Sequence, residues 1–198
     1  RGSLLRRGLA GGPMPFEFEE LGLPGVLLIR PKIFRDDRGY FLETYKKEDL
    51  ARAGIEGEFV QDNCSRSAYG VLRGMHFQRE PRAQAKIVQC TRGVIYDVAV
   101  DLRRDSTTFK RYASAILSEN NRYQLYVPRG FAHGFLVLSD IAEVMYKVDN
   151  PYSPESEGGL IWDDPEVNVK WPIDHPVLTE RDKSWPGLKT LIIEGSLF

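Results

Sequence analysis

Four side chains in this sequence carry chemistry that an ordinary β-rich core does not need. In Ala85–Thr91, period-two alternation puts Lys86 on the same face as Val88 and Cys90, so an ammonium points where apolar residues gather. In Ile141–Val148, Tyr146 shares a face with Ala142, Val144 and Val148, which places a phenol inside. His76 lies in Gly74-Met-His-Phe-Gln78 and His133 in Pro128-Arg-Gly-Phe-Ala-His-Gly134, both glycine-flanked segments at strand edges. Each has an ordinary explanation: a strand-end lysine snorkels, core tyrosines are common, and a lone histidine is more often a satisfied polar residue than a catalyst. Two imidazoles, a cation and a phenol facing one interior point instead to a site that moves protons.

The segments that must position these groups have the period of strands. In Val94–Leu102 the residues Val94, Tyr96, Val98, Val100 and Leu102 alternate with a set containing Asp97 and Asp101, giving one apolar and one mixed face. Similar runs occur at Val26–Arg30, Tyr40–Tyr45, Phe59–Ser65, Ala85–Thr91, Arg111–Leu117, Tyr123–Val127, Phe135–Leu138 and Ile141–Val148. Only Lys47–Ala53 reads as a helix, with Glu48 and Asp49 near its start and Gly54 as its stop. Many short strands separated by Gly, Pro and Asp predict an all-β fold, a jelly roll or similar barrel. From Asn150 onward prolines are too frequent for a sheet core, so a loop-rich C-terminal tail is expected to wrap the barrel, sheltering Trp162, Trp171 and Trp185.

Composition narrows the function classes. With 27 Lys+Arg against 28 Asp+Glu in 198 residues, the chain offers no general polycation for nucleic acid or anionic membrane. Its longest apolar stretches fall far short of a transmembrane helix. Cys64 and Cys90 cannot make a disulfide framework, read as buried small hydrophobes, and fit a reduced, cytoplasmic compartment at least as well as a secreted one; a cytoplasmic setting is expected. Residues 1–13, with three arginines, four glycines and no acids, read as an appended leader, leaving 14–198 as a single domain.

Pro128-x-Gly130-x-x-His133 resembles the second motif of the cupin barrels, and Gly74-x-His76-x-Gln78 with Lys86 and Gly93 resembles a degraded first motif. Gln78 stands where metal-binding cupins carry a second histidine, and Lys86 where they carry a glutamate. A cation in place of an anionic ligand opposes metal binding, so no metal is expected. A fuller resemblance runs from about Phe16 to Leu188. Phe34-Arg-Asp-Asp-Arg38-Gly39-Tyr-Phe-Leu-Glu43, Gln61-Asp-Asn63, Leu72-Arg73-Gly-Met-His76, Gln84-Ala-Lys86, Val127-Pro-Arg-Gly-Phe-Ala-His133, Tyr146-Lys and Arg181-Asp182 resemble, in order and spacing, the dTDP-4-dehydrorhamnose 3,5-epimerases.

The resemblance implies conversion of dTDP-4-dehydro-6-deoxy-D-glucose to dTDP-4-dehydro-L-rhamnose without a cofactor, in a homodimer with sites near the subunit interface. It assigns His76 as base with Asp182 as its carboxylate partner, Lys86 as stabiliser of the enolate oxygen, and Tyr146 as acid on the opposite face. Arg38, Arg73 and Arg181 are assigned to the diphosphate and sugar, Glu43, Gln61, Asn63 and Glu157 to polar contacts, His133 to the sugar, and Tyr152 to stacking on thymine. Two positions depart from this pattern: Arg181 stands where the family often has lysine, and strict alternation puts Arg73 on the opposite face from His76. Either Gly74 breaks the alternation, or Arg73 acts at an edge or in a partner's site. The rival readings are a C3-only epimerase, a 3,4-ketoisomerase, a non-catalytic sugar-binding cupin and a metal-dependent cupin oxygenase.

Overall fold

The computed structural model describes residues 14–198, so the expected leader lies outside the described residues. Six strands form one sheet in the order β1 (Phe16–Glu20), β2 (Leu27–Pro31), β10 (Gln124–Val127), β7 (Lys86–Arg92), β12 (Ile141–Val148) and β5 (Gln61–Ala68). Five form the other, in the order β13 (Glu157–Gly159), β6 (Leu72–Gln78), β11 (Phe131–Val137), β8 (Val94–Asp101) and β9 (Tyr112–Ser118). A separate hairpin pairs β3 (Phe34–Asp36) with β4 (Gly39–Phe41). This is the all-β, cupin-type jelly roll. Among the described residues no helix is long and apolar enough to cross a membrane.

Three apolar layers hold the two sheets. Leu28, Val88, Cys90, Leu125, Val127 and Val144 from the six-stranded sheet meet Ile95, Ala99, Leu117, Phe131, Phe135 and Val137 from the other, forming the barrel interior. Outside the five-stranded sheet, Val98, Val100 and Leu102 are covered by Leu160, Val167, Leu188 and Leu191 of the tail. Outside the six-stranded sheet, Phe16, Phe18, Leu27, Ile29 and Ile87 are covered by Leu50 and Ile55, in and after helix α1 (Lys47–Arg52).

Four details depart from the sequence reading. The mixed face of β8 is the inner one: Asp97 lies with Ile95 and Ala99 inside the barrel, and the apolar set faces the tail. The tail contains two further helices, α2 (Glu180–Lys183) and α3 (Leu188–Ile193), too short to show a helical period. Their stability comes from packing, as at Leu188 and Leu191, more than from propensity. Tyr40–Tyr45 is strand only to Phe41 and is exposed there. Cys64 is exposed on the outward face of β5, whereas Cys90 is buried, and burial pushes its thiol up to about 11.

Candidate active site

A cleft of about 360 Å³ opens into the barrel and is lined by residues from both sheets and the tail. At its floor, Lys86 begins β7 and is only 8% exposed, so the inward reading of this ammonium holds and snorkelling does not. Its Nζ lies 5.9 Å from the centre of the Tyr146 ring on neighbouring β12. Burial lowers the Lys86 pKa to about 8, while the charges of Asp97 and Glu157 oppose that fall. The Tyr146 phenol is raised above its usual value, mainly by burial, with Arg73 acting in the opposite direction.

His76 lines the opposite wall, with its side chain 27% exposed and Nε2 2.7 Å from Asp182 Oδ1. Asp182 sits in the first turn of α2, where its backbone N–H donates to the N-cap Thr179 hydroxyl. Trp185 Nε1 donates to the same carboxylate oxygen at 3.3 Å, and its ring meets His76 edge-on at 6.2 Å. The Asp182 carboxyl is raised by burial but more strongly lowered by the hydrogen bonds from His76, Trp185 and Thr179, so it ends below its ordinary value. Burial, with the Lys86 and Arg181 charges acting in the same direction, holds the imidazole below its ordinary pKa despite the opposing pull of Asp182, leaving His76 neutral near pH 7. With Nε2–H donated to Asp182, the lone pair rests on Nδ1.

Arg73 joins the same cleft because β6 is not a regular strand. Against β11, His76 pairs with His133 and Arg73 with Phe135, so Gly74 and Met75 on β6 oppose the single Gly134 on β11. Gly74 occupies this bulge at φ +146°, where an added Cβ would come 2.6 Å from Gly134 Cα. The bulge reverses the alternation and turns Arg73 and His76 to one side, with Arg73 Nε donating to Ser67 Oγ at 2.9 Å.

The mouth is a polar ring. Gln61 Nε2 donates to Asn63 Oδ1 at 2.9 Å, and Gln61 Oε1 accepts from the Tyr152 backbone at 3.1 Å. Glu157 Oε2 accepts from the Tyr152 hydroxyl at 3.2 Å and from Arg181 at 3.0 Å. Gln78, at the degraded metal-motif position, is tied to backbone instead: it donates to the Arg82 and Pro151 carbonyls and accepts from Ser153 N–H. With Lys86 at the glutamate position, this donor set does not suit a divalent cation.

The structure therefore gathers His76, Lys86, Tyr146, Gln61, Asn63, Arg73, His133, Tyr152, Glu157 and Arg181 around one cleft, with Asp182 behind His76. Arg38 and Glu43 are not brought to it. Arg38 is 90% exposed on the β3–β4 turn and pairs with Asp36, and Glu43 follows the same hairpin. Two further residues support the site without standing among the sequence candidates: Asp97, which bonds His133 from inside the barrel, and Trp185, which supports Asp182. Asp97 was visible as a charge on the mixed face of β8; nothing in the local pattern pointed to Trp185.

The dTDP-4-dehydrorhamnose 3,5-epimerase family profile matches residues 20–190. A dTDP-4-dehydrorhamnose 3,5-epimerase from Escherichia coli is 50% identical over 169 residues, covering 84% of this chain and 91% of its own. The crystal structure of a dTDP-6-deoxy-D-glucose-3,5-epimerase from Legionella pneumophila in complex with dTDP-4-keto-L-rhamnose superposes with a TM-score of 0.87 at 39% identity, covering 92% of this chain and 97% of that one. A 3'-monoepimerase from Streptomyces bikiniensis in complex with dTDP-quinovose superposes with a TM-score of 0.84 at 34% identity, covering 89% and 90%. Matches that run through both sheets and the tail settle the question of kinship: this chain belongs to the dTDP-4-dehydrorhamnose 3,5-epimerase family.

Proposed function

We propose that this protein inverts C3 and C5 of dTDP-4-dehydro-6-deoxy-D-glucose to give dTDP-4-dehydro-L-rhamnose. The observation that carries this reading is the opposition, across one cleft, of the His76–Asp182 dyad to the Lys86–Tyr146 pair. Neutral His76 takes the proton from the carbon beside the ketone, and the C–H electron pair moves into the carbonyl to form an enolate. The Lys86 ammonium, itself buried at the cleft floor, stabilises the enolate oxygen. Tyr146 O–H delivers a proton to the other face, and the tyrosinate and imidazolium then exchange protons with solvent. The same cycle at the second carbon completes the conversion, and since only protons move, the electrons balance without a redox partner. Asp182 holds the His76 tautomer and stabilises its cation, as in hydrolase triads. Arg73 and Arg181 can clamp the diphosphate, with Tyr152 stacking on thymine and His133, Gln61, Asn63 and Glu157 orienting the sugar and nucleoside.

The working unit in this reading is a homodimer. Phe34, Tyr40 and Phe41 of the β3–β4 hairpin are exposed, which favours burial against a second copy whose cleft would receive Arg38 and Glu43. The free thiols of Cys64 and Cys90 support a reducing cytoplasmic setting.

Incubation with dTDP-4-dehydro-6-deoxy-D-glucose in deuterated water, followed by NMR, tests the activity. Deuterium at C3 and C5 of a rhamno-configured product is expected, and no exchange at either carbon overturns the reading. The same base and acid would serve inversion at C3 alone, and the similarity to a 3'-monoepimerase makes that the second reading. Exchange confined to C3 selects it.

A further inference from the structure

Asp97 is a buried carboxylate beside the cleft that the proposed reaction leaves unused. It is 0% exposed on the inner face of β8, Oδ1 lies 2.8 Å from His133 Nε2, and Oδ2 has no hydrogen-bond partner among the described residues. A carboxylate that only tied β8 to β11 could be replaced by a neutral acceptor without leaving a buried oxygen unsatisfied. We propose that Asp97 is a positioning residue serving two cleft groups: Oδ1 fixes the His133 tautomer, and its charge is the counter-charge of the Lys86 ammonium. This deepens the proposed reaction and rests on the reading that Lys86 stabilises the enolate.

The groups around Lys86 support that assignment. Tyr146 faces it from β12, His76 and Arg73 from β6, His133 from β11, Arg181 from α2, Glu157 from β13 and Asp97 from β8. Two of these are anions near Lys86. Glu157 is committed to Arg181 and the Tyr152 hydroxyl at the mouth, whereas Asp97 has no cationic partner of fixed charge. Of the charges that keep Lys86 protonated against burial, Asp97 contributes most, acting through space without a direct hydrogen bond. At the same time, a carboxylate accepting the Nε2 proton of His133 leaves Nδ1 as an acceptor for a sugar hydroxyl.

The test is Asp97→Asn, with kcat/KM measured from pH 6 to 10 and the Lys86 protonation followed by 13Cε NMR. The basic limb of activity and the Lys86 titration are expected to move to lower pH together, by about one unit, while the acidic limb set by His76 stays. A variant slowed equally at all pH values, with an unshifted Lys86 titration, would make Asp97 a structural tie and overturn the proposal. If the unaltered protein fails to turn over the sugar nucleotide, the proposed reaction falls, but the Lys86 titration still decides the role of Asp97. Should Asp97→Asn not fold, Asp97→Ser is read in the same way: a Lys86 titration moved to lower pH is expected, and an unshifted one overturns the assignment.

Discussion

In the proposed reaction, Lys86 serves chemistry at a cost to stability. Its pKa of about 8 lies below the ordinary lysine value of about 10.4, so burial disfavours the charged form in the folded protein. Between these values the unfolded chain binds more protons than the folded one, and stability therefore rises with pH across that window. Below about pH 8 both states are protonated and the full penalty, on the order of 3 kcal/mol, is present. Lys86→Met should lower turnover about 100-fold or more through loss of enolate stabilisation. The same variant should gain about 1–3 kcal/mol at pH 7 and lose the alkaline rise, as read by urea unfolding at pH 7 and pH 9.5. Near-normal turnover would remove Lys86 from the mechanism. In the same reading, Tyr146→Phe separates acid from base, because His76, Asp182 and Lys86 remain in place. Solvent deuterium should enter recovered starting sugar faster than product forms; product at the parental rate would exclude Tyr146 as the acid.

At the scale of elements, the bulge in β6 decides whether the arginine and the histidine share a site. On a regular strand, period-two alternation puts Arg73 and His76 on opposite faces unless Gly74 breaks it. The extra residue opposite His133–Phe135 reverses that phase, and Gly74 is required because its neighbour is the Gly134 backbone. Gly74→Ala should therefore cost about 2–4 kcal/mol in chemical denaturation, from the positive φ and the clash together. It should also raise KM for the nucleotide sugar, because Arg73 loses its place beside His76. Unchanged stability and KM would show that the bulge tolerates a side chain. In α2, the Thr179 cap sets a four-residue helix so that Asp182 meets His76, a contact across 106 positions that no local pattern reveals.

The whole molecule differs from the sum of its elements where the hairpin is concerned. The resemblance assigns Arg38 and Glu43 to the substrate, yet in one chain the β3–β4 hairpin keeps them away from the cleft. Phe41, 66% exposed at the end of β4, is a suitable lever. In the homodimer reading, Phe41→Asp should halve the mass seen by light scattering and reduce activity by about tenfold or more, since an interface anchor commonly contributes over 1 kcal/mol. A fully active monomer would show that the cleft needs nothing from a second copy.

By itself the sequence determined the class of fold, the inward placement of Lys86 and Tyr146, and the ordered motifs that carry the family resemblance. These follow from alternation along single strands and from residue types at short spacing, which are local properties. It did not determine the bulge at Gly74, the inner orientation of Asp97, the short tail helices or the exposure of Cys64. Each of those depends on what packs against the strand: Gly134 behind β6, the tail behind β8, open space beyond β5. When both faces of a strand are covered, as the tail covers β8, polarity no longer tells inside from outside, and only the tertiary structure decides.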